Sequence, residues 1–224
     1  MKIKLIVAIL LSFINCDYGQ GFINLNFEQA KIIINPDSTI STSNAAPGWT
    51  AYYSGTPMTE VLYNTTTLGA AAVSIQGTNG SYPAIQGKYF ILLQGEGVNF
   101  GNNSFITNSA SIGQTGQIPF TAQSLVFWGQ SSSIGGPNTG IQITFNNQQV
   151  LFNTLNSTAN YNIYGADISV YAGQIGELLF TAPYNTVGFI DNIQFSSTAV
   201  PEPSKLALFG LAVTALHLYR RRNF

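Results

Sequence analysis

The sequence predicts an all-β protein, a single β-sandwich carried between two apolar chain ends. Three observations predict it. About a dozen short runs rich in β-branched and aromatic residues recur at roughly 8–15-residue spacing. Gly, Asn, Pro and Ser, the residues that turn a chain, cluster between them. Between residues 20 and 199 no long stretch has the three-to-four-residue apolar period of an amphipathic helix.

The runs follow in order. Phe22 to Glu28 alternates, with Leu25 and Phe27 on one face, and Lys31 to Ile34 is a second run, ended by Asn35-Pro36-Asp37. Thr39 to Ala46 reads as a small-residue loop, Pro47-Gly48 as a turn, and Trp49 to Tyr53 as a strand. Glu60 to Tyr63 and Ala71 to Gln76 follow. Lys88 to Gln94 is the most continuous apolar run and fits a central strand buried on both faces. Ser111 to Pro119 holds a period of two despite its glycines, and Gln123 to Trp128 alternates before a Gly-rich loop at 131–140. Ile141 to Phe145, Asn146-Asn147 and Gln148 to Phe152 read as a hairpin. Tyr161 to Tyr164, Asp167 to Tyr171, Glu177 to Thr181 and Val187 to Phe195 complete the set. This many strands in one domain's length of chain argues a sandwich.

Composition excludes several functions. Between residues 20 and 199 the only cations are Lys31 and Lys88. They stand against seven acids: Glu28, Asp37, Glu60, Glu96, Asp167, Glu177 and Asp191. A nucleic-acid partner needs basic charge for its phosphates, so none is expected. The only cysteine is Cys16 and the only histidine is His217, both outside this body. Cys or His nucleophilic triads, zinc sites built on those residues and stabilising disulfides are therefore excluded from it.

The two ends read as addresses. In residues 1–19, Lys2 and Lys4 precede an apolar segment from Leu5 to Ile14, the pattern of an export signal peptide cut between Gly19 and Gln20. Cys16 offers a lipoprotein alternative, with Asn15 a poor residue before it. Residues 200–224 begin Val200-Pro201-Glu202-Pro203. The bracketing prolines keep this segment extended. Apolar residues then run from Leu206 to Leu216, and Arg220-Arg221-Arg222 close the chain on the cytoplasmic side of a membrane helix. Leu206 to Tyr219 gives about 21 Å of helix against the roughly 30 Å of a bilayer core. Pro203 to Lys205 and Tyr219 would sit at the interfaces, with Lys205 snorkelling.

Pro-Glu-Pro, apolar run and arginine cluster, in that order, resemble the PEP-CTERM sorting signal of Gram-negative bacteria. The resemblance implies an exosortase as processing partner and an exported protein. It would be membrane-anchored as a precursor, then at the cell surface or extracellular, and linked to exopolysaccharide or biofilm matrix. The alternative is a plain C-terminal anchor helix.

A second resemblance lies at the two ends of the body. Leu25-Asn26-Phe27-Glu28, Ala46-Pro47-Gly48-Trp49 and Phe189-Ile190-Asp191-Asn192-Ile193 are similar to segments of jelly-roll domains of the galactose-binding-like class, which includes many carbohydrate-binding modules. It implies that the first and last strands lie together, and that Glu28 and Asp191 hold a structural Ca²⁺, a cation that takes carboxylate oxygens. The alternative for both is a solvated strand-end acid.

Aromatic side chains stack on the apolar faces of pyranoses. Trp49, Tyr52, Tyr53, Tyr82 and Trp128 are the candidates, Trp128 foremost because it reads as a strand end beside Gly129; core packing is the competing role for each. The leading expectation is a non-catalytic structural or interaction protein of the cell surface. The alternatives are a carbohydrate-binding module and, third, a glycan-acting enzyme built on paired carboxylates.

Overall fold

The computed structural model describes residues 21–96, 107–133 and 140–200. Residues 1–20, read above as a signal peptide, and residues 201–224, read above as the sorting tail, lie outside them. Among the described residues no helix is long and apolar enough to cross a membrane.

The strands are β1 (Thr39–Ser41), β2 (Thr50–Tyr53), β3 (Thr56–Met58), β4 (Glu60–Tyr63), β5 (Ala72–Gln76), β6 (Phe90–Gln94) and β7 (Ala110–Gln117). There follow β8 (Ser124–Ser133), β9 (Gln142–Phe145), β10 (Gln148–Gln149), β11 (Phe152–Ser157), β12 (Asn162–Asp167), β13 (Ile175–Ala182) and β14 (Thr186–Ser196). A four-residue helix, α1 (Thr42–Ala45), and a 3-10 turn, Ser169–Tyr171, are the only helical pieces described.

Two sheets form. One has eight strands in the order β1-β4-β5-β6-β14-β8-β12-β11, the other six in the order β10-β9-β13-β7-β2-β3. Pairing is antiparallel except between β4 and β5. From β6 onward the chain passes repeatedly from one sheet to the other, the wrapping of a jelly roll.

The period of two decides which side chains meet. In β13, Leu178, Phe180 and Ala182 are buried while Glu177, Leu179 and Thr181 face outward. Phe127 of β8 meets Phe180 of β13 edge-on across the sandwich, ring centres 5.4 Å apart. Residues of both sheets join in one core. β6 is central, between β5 and β14, and its residues Phe90 to Leu93 are wholly buried. Its outward face is covered by the 77–89 segment, where Tyr82 packs on Phe189, and Phe189 on Phe90. This is why one strand reads as an unbroken apolar run.

Several expected elements differ. Phe22 to Glu28 is not a strand: Asn24 and Phe27 have φ of 50° and 56°, and Phe27 N–H donates to the Asn24 carbonyl at 3.2 Å, making a turn. Lys31 to Ile34 is irregular. The expected loop at 39–46 instead contains β1 and α1. β8 runs five residues past Trp128, so Trp128 and Gly129 are mid-strand. Gln148 to Phe152 divides between β10 in one sheet and β11 in the other. Asp167 to Tyr171 leads from β12 into the 3-10 turn. The Asn146-Asn147 hairpin forms as expected: φ of 48° and 63° is the left-handed pair a two-residue turn of this kind needs.

Candidate functional site

The outward face of the six-stranded sheet carries a polar groove of about 230 Å³ lined by Tyr52, Gly55, Ser111, Asn147, Glu177 and Leu179. Register builds it. β2, β7 and β13 lie side by side, with Tyr52 opposite Ser111, Ser111 opposite Thr181, and Gly113 opposite both Thr50 and Leu179. Strands β2 and β13 flank β7 and so stand about 10 Å apart. The Tyr52 hydroxyl nonetheless donates to Glu177 Oε1 at 2.7 Å. To bridge two strand spacings the ring must lie along the sheet rather than stand off it.

Gly113 makes room for this contact. A β-carbon there would sit 2.9 Å from Glu177 Oε1 and 2.8 Å from Leu179 Cδ1. Ser111 and Thr181 share a hydroxyl–hydroxyl hydrogen bond of 2.9 Å beside the ring. The hairpin turn holds Glu177 in place: its N–H donates to Asn146 Oδ1 at 3.1 Å, and Asn146 N–H donates to its carbonyl at 3.0 Å. Partial burial, and then the Glu177 carboxylate that accepts its proton, push the Tyr52 hydroxyl above its usual range. Tyr52 is therefore a neutral donor. The groove offers an aromatic surface, hydroxyls and one carboxylate.

The other predicted aromatics fall elsewhere. Trp49 is 4 % exposed, packs on Phe27 and Phe180, and donates its indole N–H to the Asn24 carbonyl at 3.1 Å. It is a core residue, because the first residue before β2 points between the sheets. Trp128 is half-buried on the outward face of the eight-stranded sheet, stacked on Tyr161 with ring centres 5.0 Å apart and planes 9° from parallel. Tyr53 accepts a hydrogen bond from Asn108 Nδ2 at 2.6 Å, and Tyr82 packs on Phe189. Glu177 was absent from the sequence candidates. The outward parity of β13 was the signal that could have found it.

Glu28, on a turn, lies close enough to Asp191, on a strand, for its charge to act on the Asp191 carboxyl. The 24–30 turn brings Glu28 to the loop before β6: Lys88 and Tyr89 N–H groups donate to its Oε1 at 2.6 and 3.0 Å. Asp191 is fully buried, at a bulge in β14, and accepts the N–H groups of Gln86 (3.0 Å) and Asn192 (2.7 Å). The Ile193 N–H donates to the Leu25 carbonyl at 2.9 Å, tying the two chain ends. Burial, opposed in part by these two N–H groups, and then the negative charge of Glu28 push the Asp191 carboxyl up to about 7. Glu28 and Asp191 are the two carboxyl groups here that could hold a hard cation. The remaining oxygens would come from backbone carbonyls or water, since no third acid, His or Cys joins them among the described residues.

Neither a protein-family model nor a curated protein matches the chain. Solved structures to which it is similar include TmCBM61 in complex with beta-1,4-galactotriose. That match is 14 % identical with a TM-score of 0.39, and covers 79 % of this chain and 97 % of that one. The K2 cleaved adhesin domain of Lys-gingipain is 13 % identical, TM-score 0.34, with 76 % and 95 % covered. The family 11 carbohydrate-binding module from Clostridium thermocellum, in complex with a beta-1,3-1,4-mixed-linked tetrasaccharide, is 9 % identical, TM-score 0.33, with 73 % and 97 % covered.

Proposed function

We infer that the protein is an exported, non-catalytic glycan-binding β-sandwich whose sugar contact is the groove on the six-stranded sheet. The observation that carries this is the Tyr52–Glu177 contact beside the Ser111–Thr181 hydroxyl pair. A sugar ring presents an apolar face to an aromatic surface and hydroxyls to polar groups around it, and this groove has both. Glu177 is the single acid lining the groove, whereas glycoside hydrolysis by the common route uses two carboxyl groups flanking the bond. The binding reading is therefore favoured over the enzyme, and over a purely structural role.

The test is a glycan array on the purified protein followed by titration calorimetry. Tyr52→Ala and Glu177→Gln are each expected to weaken binding at least tenfold, about 1.4 kcal/mol, while Trp128→Ala leaves it near wild type. Binding unchanged by Tyr52→Ala, or no binding to any glycan, rejects the groove.

Two further parts belong to this reading. Glu28 and Asp191 would hold a structural Ca²⁺, which neutralises two carboxylates that otherwise repel and stabilises the folded form by mass action. Val200 to Pro203 would be the processing motif read by an exosortase; the mass of the mature protein recovered from cells tests both cut sites.

A further inference from the structure

One end of the sandwich carries two large apolar side chains turned to water. Phe120, in the turn between β7 and β8, and Val170, in the 3-10 turn, are each 73 % exposed. Their loops are laced together. Ile118 N–H donates to the Gln174 carbonyl, Gly173 N–H to the Ile118 carbonyl, and Ile168 N–H to the Gln123 carbonyl, at 2.9, 3.0 and 3.0 Å. Gly173, with φ of 77°, lies against the Phe120 ring: a β-carbon there would come within 2.6 Å of it. The apolar groups are thus held outward by fixed loops. The two segments, Ile-Pro-Phe-Thr-Ala-Gln at 118–123 and Ile-Ser-Val-Tyr-Ala-Gly-Gln at 168–174, contain no charged residue.

The chain enters and leaves at this same end. Gly21 bridges Gln117 at the end of β7, and Phe22 packs on Phe195, ring centres 5.1 Å apart. Ser196, the last residue of β14, pairs with Ser124, and its carbonyl accepts the Gln123 N–H at 2.8 Å. Ser124 Oγ then donates to the Thr198 carbonyl at 2.7 Å, and Val200 Cγ2 lies over Gly165, two residues in from the end of β12. From Val200 to the first residue of the apolar run, Leu206, is six residues, at most about 20 Å of extended chain.

We propose that, while the tail is uncut, the Phe120–Val170 end rests in the interfacial layer of a lipid bilayer. This rests on the reading of residues 206–219 as a membrane anchor. A helix there tethers this end and no other within reach of the lipid headgroups. Loops bearing an aromatic and an aliphatic side chain suit that layer, where apolar groups leave water; the one charge adjoining them is Asp167, whose exposed carboxylate accepts the Ser169 N–H. The domain would then stand with Tyr52 away from the membrane, because Ser111 beside it lies six residues along β7 from Gln117, about 20 Å.

The experiment uses the full chain with Cys16→Ser, reconstituted in phosphatidylcholine vesicles, and single cysteines labelled with a polarity-sensitive fluorophore. Phe120→Cys and Val170→Cys report on this end. Leu68→Cys, 98 % exposed in the loop before β5 at the other end, is the control. The expected result is a blue shift at positions 120 and 170, with quenching by nitroxide-bearing lipids, and neither at 68. If the protein floats with vesicles but position 120 behaves like position 68, the proposal fails and the anchor stands. If the protein does not float with vesicles, the anchor reading fails and the proposal falls with it. A blue shift that is the same without vesicles points to self-association and also overturns it.

Discussion

Replacing Asp191 by Asn removes a titrating group that the fold holds out of water. In the folded protein burial raises this carboxyl from 3.8 to about 7; unfolded, it returns to the ordinary value. Between about pH 4 and pH 7 the folded state therefore binds a proton that the unfolded state does not. Stability should fall as pH rises through that window, with the penalty absent below it and complete above it. At about 1.4 kcal/mol per pH unit, the ceiling is about 4 kcal/mol. For a domain of this size that lowers Tm by about 10 °C. A cation bound between Glu28 and Asp191 reverses the sign. It keeps Asp191 ionised, so stability is lost as pH falls instead. The assay is calorimetric melting from pH 4.5 to 7.5, with EDTA and with excess Ca²⁺. The two Tm-against-pH curves should slope in opposite directions. Asp191→Asn should be less stable at pH 4.5 by about 1–3 kcal/mol, because its NH₂ faces a backbone N–H, should lose both slopes, and so should overtake the wild type in EDTA near pH 7. A flat or rising curve in EDTA, or a slope that survives Asp191→Asn, refutes the reasoning. Asp37 and Asp167 do not confuse the window. Hydrogen bonds from Thr39 and Ser169, respectively, lower their carboxyls, so their contribution is lost only as pH falls below about 4.

Gly129→Ala should cost about 1–3 kcal/mol by denaturant melting, because its β-carbon would come within 2.2 Å of the Phe189 carbonyl oxygen in the neighbouring strand and backbone cannot step aside. Gly113→Ala meets only side-chain ends, so its stability should change by less than about 1 kcal/mol while calorimetry shows glycan binding lost as Glu177 and Tyr52 are pushed apart. Trp49→Ala should destabilise by about 3–5 kcal/mol, whereas Trp128→Ala, which opens a half-buried stack, costs clearly less in the same denaturant series.

Most of the strands were legible because each needs only local information. Alternation in Glu177 to Thr181, the unbroken run Phe90 to Leu93 and the Asn146-Asn147 turn state their conformation within a few residues. Errors gathered where a contact distant in sequence decides. Phe22 to Glu28 alternates like a strand, yet it turns, because Phe27 and Trp49 pack in one core and Asn24 receives the Trp49 indole. Trp128 looked terminal because glycine follows it, but Gly129 is there to let β14 approach.

The amino-acid order alone determined the all-β class, the absence of cysteine and histidine from the body, its scarcity of cations and the two apolar ends. These are sums and local patterns, which need no knowledge of what lies across the fold. Only the tertiary structure buried Trp49, stacked Trp128 on Tyr161, brought Glu177 to Tyr52 from 125 residues away, and set Glu28 near Asp191. Those choices rest on strand order and register, which a chain acquires only when its two sheets close on a shared core.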